Sequence, residues 1–308
     1  MPNLFEIMFR PEFGFTIIRV VVPILFAALG AYIASSAGIG NIAMEGTMLM
    51  AAFVGTITAA VFHSPWIGLM CAVLSGVVMS LILTYFTLVL KTNNILGGIA
   101  LNLFASSITV FALFIITGSK GTSATLGAKT LPKIDIPLIE DIPIIGTIFS
   151  GHNVLVYIMF VAIILIYFLM YQTPLGLRIK AVGKDAHAAE SVGINVNRIK
   201  TIALVLSGIL AALGGAYMSM GYLSFFTKNM TNGRGFIGLA AAAMGQGNLL
   251  MVTVTSFLFG VFDALANALS ITSLPSEIII TVPYVAVFIG IVVYSIIEWK
   301  NRRDRGEE

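Results

Sequence analysis

Ile24-Leu-Phe-Ala-Ala-Leu-Gly-Ala-Tyr32 and Ile209-Leu-Ala-Ala-Leu-Gly-Gly-Ala-Tyr217 are near copies of one another, and the segments after each are alike too. A break bearing glycine and asparagine comes first, then a short apolar segment, then two longer ones. The same order of four segments occupies about 16–117 and about 199–297, with one more apolar segment, 153–171, between them. An odd number of intervening spans sets the two units in opposite orientations across a bilayer. Inverted repeats with helices interrupted at matching positions are a transporter signature, and the interruptions are where a pathway runs. Coincidence is the competing explanation, because Ala/Gly-rich words recur wherever membrane helices pack closely.

Composition requires the bilayer. The chain is 58% hydrophobic and 10% charged, with a mean hydropathy of +1.00, whereas a soluble chain carries about 25% charged residues. A spanning helix needs about 20 largely apolar residues. Nine candidates meet or approach that requirement: 16–35, 45–62, 66–90, 95–117, 153–171, 199–221, 236–247, 249–271 and 276–297. The stretch 236–247 is too short to cross alone and reads as a broken or re-entrant helix, which is tolerated where protein or a cavity surrounds it. Residues 1–308 form one membrane domain of all-α class. Glu6 and Glu12 argue against a secretory signal, so the first apolar stretch is read as a retained span, although Ala34-Ser-Ser-Ala37 resembles a cleavage site.

The basic island Gln172–Lys200 orients the chain. It carries Arg178, Lys180, Lys184, Arg198 and Lys200 against Asp185 and Glu190, and such an excess in a short loop marks the cytoplasmic side. Its middle, Gly183-Lys-Asp-Ala-His-Ala-Ala-Glu-Ser-Val-Gly193, is alanine-rich and is expected to form one short helix bounded by glycines. A cytoplasmic helix on a multi-span protein suggests a cytoplasmic partner; a merely solvated loop is the alternative. The loop 118–152 lacks a basic excess and is placed outside. With 172–200 and the tail 298–308 inside, the spans alternate consistently and the N-terminus falls outside, against which Arg10 and Arg19 weigh. The net charge of +3 comes mainly from the island and tail, so it reports orientation and not affinity for nucleic acid.

Few polar residues interrupt the apolar stretches. Gly38-Ile-Gly-Asn-Ile-Ala-Met-Glu-Gly46 forms the first break, where Asn41 can bond freed backbone groups. Glu45 is read first as a carboxylate at the N-terminus of helix 45–62, stabilised by its dipole in a structural or gating role, and second as a substrate contact. Asn94 and Asn102 are eight positions apart on one helix face, as interhelical hydrogen bonds or as path-lining amides. Asp263 and Asn267, at i and i+4, line a path or satisfy each other. Phe225, Phe226 and Phe236 flank Lys228 and Arg234 as a docking surface or as interfacial aromatics with snorkelling cations.

Enzyme signals are lacking. Gly233-Arg-Gly-Phe-Ile-Gly238 matches GxGxxG but opens an apolar segment with no preceding strand. Gly183-Lys184 is followed by Asp185, so it is no phosphate-binding loop. The lone Cys71 excludes an intramolecular disulfide, and His63, His152 and His187 lack metal-ligand spacing.

Several of these segments carry a resemblance. Gly38-Ile-Gly-Asn-Ile-Ala-Met-Glu-Gly-Thr-Met-Leu-Met-Ala-Ala-Phe53 resembles the hallmark segment of ABC importer permeases for nucleosides and simple sugars. Thr173-Pro-Leu-Gly-Leu-Arg-Ile-Lys-Ala-Val-Gly183 with Ala188-Ala-Glu-Ser-Val-Gly-Ile194 resembles that family's cytoplasmic loop, with Ala188-Ala-Glu190 where other importers carry Glu-Ala-Ala. Gly233-Arg-Gly-Phe-Ile-Gly-Leu-Ala-Ala-Ala243 with Gly245-Gln-Gly-Asn248 resembles its second-repeat signature. The branched-chain amino-acid permeases belong to the same broad group, and the segment Thr92–Asn102 is closer to the nucleoside branch.

The resemblance implies a fold similar to the vitamin B12 importer, with two inverted four-helix repeats joined by an extra helix, in a chain lacking the first helix of longer relatives. It implies a bacterial plasma-membrane complex with cytoplasmic ATP-binding subunits, a second permease subunit expected to form a heterodimer, and an extracellular substrate-binding lipoprotein. ATP and Mg would act on the partner, with no cofactor in this chain. The 184–193 helix, with Gly183, Lys184, Asp185, Ala188, Ala189, Glu190 and Gly193, would be the coupling helix. Nucleosides are the expected substrates; a pentose or a branched-chain amino acid is the alternative. A stand-alone secondary transporter using Glu45 or Asp263 is the competing class.

Overall fold

The computed structural model describes residues 10–137 and 145–269, together with 281, 285, 287–290, 292 and 296. In chain order its helices begin with α1 (Pro11–Ser36), α2 (Met44–Val61), α3 (Pro65–Thr84) and α4 (Asn94–Thr117). The short elements β1 (Lys133–Ile134), α5 (Ile145–Phe149) and β2 (His152–Asn153) come next, the two strands pairing antiparallel. Then come α6 (Val154–Gln172), α7 (Pro174–Lys184), α8 (Ala186–Ser191), α9 (Val196–Tyr217), α10 (Arg234–Met244) and α11 (Leu249–Leu269). A π turn extends α3 through Tyr85–Val89, and another extends α9 through Met218–Tyr222. This is an all-α polytopic membrane protein: among the described residues seven helices are long and apolar enough to cross a bilayer. The expected span 276–297 and the tail 298–308 fall outside the described residues, apart from the scattered positions named above.

Local chemistry accounts for the boundaries. Pro11, Pro65 and Pro174 lie in first turns, where a missing N–H leaves no bond unmade. Asn93, Asn153, Thr173 and Asn195 each cap the following helix by accepting a backbone N–H on the side chain. α10 has only 11 residues, roughly 16 Å at 1.5 Å per residue, in keeping with the short segment expected at 236–247.

α1 is the core of the bundle, buried from Val20 to Ala34. The two copied segments pack against each other in opposite directions: Gly30 of α1 lies on the Ser207 carbonyl, and Gly214 of α9 lies on the Pro23 carbonyl. The contacts are reciprocal beyond that pair. α1 carries α10, with Gly238 on Ala27 and Ala28, and α11, with Gly260 on Val21. α9 carries α2, with Gly215 on Met48, and α3, with Gly208 against Ser80. α4 and α6 close the outside of the bundle and expose apolar side chains such as Leu103, Phe104, Ile164 and Leu165, as a surface facing lipid or another membrane subunit does.

The two ends of the bundle differ. α1 starts beside α5 and β2, where Gly14 meets Ile148 and the Phe15 ring stacks on His152 at 4.0 Å. It ends against α7, where Gly183 meets the backbone of Ser36 and Gly38. The start of α1 and the described parts of the loop, 118–137 and 145–152, therefore share one end, and the basic island occupies the other. The loop is tied down: Ser123 exchanges backbone hydrogen bonds with Phe226 through its N–H and side chain, and the Lys228 N–H donates to Gly121.

The island departs from the single helix expected over 184–193. It folds as α7 and α8, broken at Asp185, whose carboxylate accepts the Ala188 N–H at 3.0 Å. A side-chain cap in extended backbone, φ −151°, starts a new helix there. Gly183 is no boundary; it lies inside α7 because only a residue without a β-carbon fits against Ser36.

Candidate functional site

The two breaks, 37–43 and 223–233, bring two interrupted helices together near the middle of the bundle, N-terminus to N-terminus. α10 begins after Gly233, at φ +76°, with no side chain of its own to cap it. Its first N–H groups would be orphaned in an apolar setting. Glu45, in the first turn of α2, supplies the missing acceptors: Oε1 takes the Gly233 N–H at 2.7 Å and Oε2 the Gly235 N–H at 2.8 Å. The dipole of its own helix was the expected partner; its hydrogen bonds go to the opposite half. One carboxylate thus faces the positive ends of two helices. The approach depends on Gly235, where a β-carbon would lie 2.8 Å from the Glu45 Cα.

Arg234, the first residue of α10, puts a cation at the wrong end of a helix dipole. Asp263 of α11 offsets it, with Oδ2 at 2.9 Å from Nη2 and 3.1 Å from Nε, both side chains largely buried. Arg234 is therefore an internal ion-pair partner and neither a snorkelling cation nor part of a docking surface. Phe226 is likewise buried, edge-on to Phe53 at 5.2 Å. Asn267 lies one turn beyond Asp263, half-buried. Arg19 of α1 donates to the Tyr222 carbonyl at 2.6 Å and lies over the Tyr222 ring.

The asparagines hold the first break in place. Asn102 of α4 donates from Nδ2 to the Ile42 carbonyl at 2.9 Å and accepts the Gly46 N–H on Oδ1 at 2.7 Å. Asn94, two turns earlier on the same face, donates to the Gly40 carbonyl. These two satisfy the freed backbone that Asn41 was expected to satisfy. Asn41 instead donates to Ser207 Oγ at 2.9 Å and ties the break to α9.

A cavity of about 280 Å³ opens beside this junction, lined by Glu45, Gly46, Leu49, Asn102, Ser106, Asn229, Thr231, Asn232 and Gly233. Glu45 and Asn102 are brought together in it; Asn41, Asn94, Asp263 and Asn267 are not part of its lining. Ser106, Asn229, Thr231 and Asn232 escaped the sequence reading. The signal available for three of them was the dense polar run 227–233, with Asn229 and Asn232 at positive φ. The Ser106 hydroxyl faces Asn229 Oδ1 at 3.2 Å. Amides, hydroxyls and one carboxylate already bonded to backbone N–H groups can orient a polar solute by hydrogen bonds and offer no nucleophile or base in a catalytic pair. Among the described residues no group of His, Cys, Asp and Glu could hold a metal ion.

At the far end, Lys184, Asp185, Ala188, Glu190 and Gly193 are exposed on α7, α8 and the adjoining turn, while Ala189 is buried. Leu177 and Val192 expose apolar side chains on the same element. At the other end His152 is buried against Phe15, its Nε2 at 2.8 Å from the Ile148 carbonyl. Burial holds its pKa below the ordinary imidazole value, the Arg19 charge lowers it further, and the Ile148 bond works in the other direction.

Comparison with known proteins agrees with this architecture. The nucleoside ABC transporter permease protein NupC of Lactococcus lactis subsp. cremoris is 31% identical over 285 residues, covering 88% of each chain. The guanosine ABC transporter permease protein NupQ of Bacillus subtilis is 29% identical over 280 residues, covering 87% of each. In fold, the chain is similar to PsaBC from Streptococcus pneumoniae, solved in complex with a Fab, with a TM-score of 0.55 at 14% identity and coverage of 93% and 94%. The family model described as the permease component of the branched-chain amino acid transport system matches residues 14–297. The chain therefore belongs to this family of ABC transporter permeases and is a membrane permease, not itself an enzyme.

Proposed function

We propose that this permease carries an uncharged nucleoside inward as part of an ATP-driven, binding-protein-dependent importer. The observation that carries the reading is the cavity beside Glu45: its lining is amide and hydroxyl, its carboxylate is bonded to backbone, and the nearby guanidinium is neutralised by Asp263. A neutral polar solute gains orientation from such groups and needs no fixed countercharge. The names of the nucleoside and guanosine relatives support the same choice.

The reciprocal packing of α1 and α9 supports two inverted four-helix repeats joined through α6. In that arrangement the basic island is cytoplasmic and the start of α1 faces outward. An extracellular lipoprotein delivers the solute at the end formed by 118–131 and 222–233. ATP and Mg act on a cytoplasmic subunit that docks on α7 and α8, through residues including Lys184, Ala188 and Glu190. A second permease subunit, in a heterodimer, covers the exposed face of α4. The halves then rock about the junction at Glu45, opening the cavity to each side in turn.

The test is ATP-dependent uptake of a radiolabelled nucleoside by the whole complex in proteoliposomes, with unlabelled nucleosides, ribose and leucine as competitors. Uptake competed by nucleosides alone is expected. No ATP-dependent nucleoside uptake, with labelled ribose or leucine taken up instead, would replace the substrate class. Uptake that needs no ATP would make the protein a secondary transporter.

A further inference from the structure

Helix N-termini attract anions, because unpaired N–H groups and the macrodipole both favour negative charge. This chain points two of them, those of α2 and α10, at one polar cavity, and Arg234, whose side chain is outside that lining, follows Gly233 in the chain. Left unscreened, such a place would suit a phosphate monoester better than a neutral solute. The chain fills it from within. The Gly233 and Gly235 N–H groups are taken by Glu45, the Gly46 N–H by Asn102, and Arg234 by Asp263. A phosphorylated solute would meet donors already engaged and a carboxylate facing it. A solute with hydroxyls and amides meets the polar side chains of Ser106, Asn229 and Thr231.

We infer that Glu45 is the charge-selecting residue of this permease, the group that excludes anionic forms of the solute from the cavity. The inference rests on reading that cavity as the transport path. Glutamine at position 45 is nearly isosteric but has one acceptor oxygen, and its NH₂ would oppose one of the two glycine N–H groups. That N–H would then be left for an anion.

The experiment reads the potential inside the cavity without relying on transport. In the assembled complex, with Cys71 replaced by Ala, Ser106→Cys is modified with thiosulfonate reagents of similar size, one neutral and one bearing a sulfonate. Lys129→Cys, in the exposed loop, serves as reference. The sulfonate-to-neutral rate ratio is expected to be roughly tenfold lower at position 106 than at 129, the scale of a charge interaction at a helix terminus. Adding Glu45→Gln should raise the ratio at 106 by about the same factor, and Glu45→Asp, which keeps the charge, should leave it low. Equal ratios at 106 and 129, or a ratio unmoved by Glu45→Gln, would overturn the inference. If Glu45→Gln fails to assemble, the comparison of 106 with 129 decides alone. Complete modification at 106 by the neutral reagent with undiminished nucleoside uptake would instead refute the path, whatever the ratio.

Discussion

Gly183 of α7 lies against Ser36, the last residue of α1, so closely that a β-carbon on it would overlap the Ser36 carbonyl, and its neighbour Gly38 opens the first break at φ +70°. The exposed α7–α8 element is thus in backbone contact with a segment that runs seven residues on to Glu45. Gly183→Ala should force these backbones apart. The expected result is a complex that assembles and hydrolyses ATP but takes up substrate several-fold more slowly. ATPase activity and uptake both at parental levels would show that the contact transmits nothing.

Breaking the Arg234–Asp263 pair should cost more than its surface equivalent would. Asp263→Asn leaves a largely buried guanidinium uncompensated at a helix N-terminus, a loss of roughly 3–5 kcal/mol. Thermal unfolding of the purified complex should show a clear drop, and the double variant Arg234→Met with Asp263→Leu should recover much of it. A single variant as stable as the parent would contradict the pairing.

Asn102→Leu removes the two bonds Asn102 makes at the first break, leaving the Gly46 N–H and the Ile42 carbonyl without that partner. Each such group costs about 1–3 kcal/mol when buried. The expected outcome is a fall in stability together with slower transport. Lost transport at unchanged melting temperature would make Asn102 a solute contact alone.

Some of this was legible in the amino-acid order and some was not. Long apolar stretches set the described spans to within about five residues, because twenty apolar residues admit few alternatives. Glu45, Asn102 and Asp263 stood out as polar groups in an apolar background. Their partners did not: Glu45 bonds a backbone 188 residues away, and only the antiparallel packing of α1 and α9 reveals that meeting. Alanine-rich composition concealed the cap at Asp185, and nothing in the polar island singled out α7 as a second helix ahead of the expected one. Arg234 read as part of a docking surface or as a snorkelling cation because its acid lies on another helix.

His152 predicts a pH effect at the loop-bearing end. Its pKa is lowered in the fold, chiefly by burial, so the neutral ring is favoured. Its contribution is full above the ordinary imidazole value of about 6.5 and is lost as pH falls below that toward the depressed folded value. The melting temperature of the complex should fall between pH 7.5 and 5, and less steeply in His152→Gln. Identical slopes would remove His152 as the cause.

Solute passage where the two breaks meet is tested most directly at Ser106, which lines the cavity and donates to Asn229 of the second break at 3.2 Å. With Cys71 replaced by Ala and Ser106 by Cys, the assembled complex is modified with a bulky thiol reagent and radiolabelled nucleoside uptake is measured before and after reduction. Uptake should fall to background on modification and return with reductant, while the same treatment at Lys129→Cys leaves it unchanged. Full uptake with position 106 completely modified would contradict a path through this cavity.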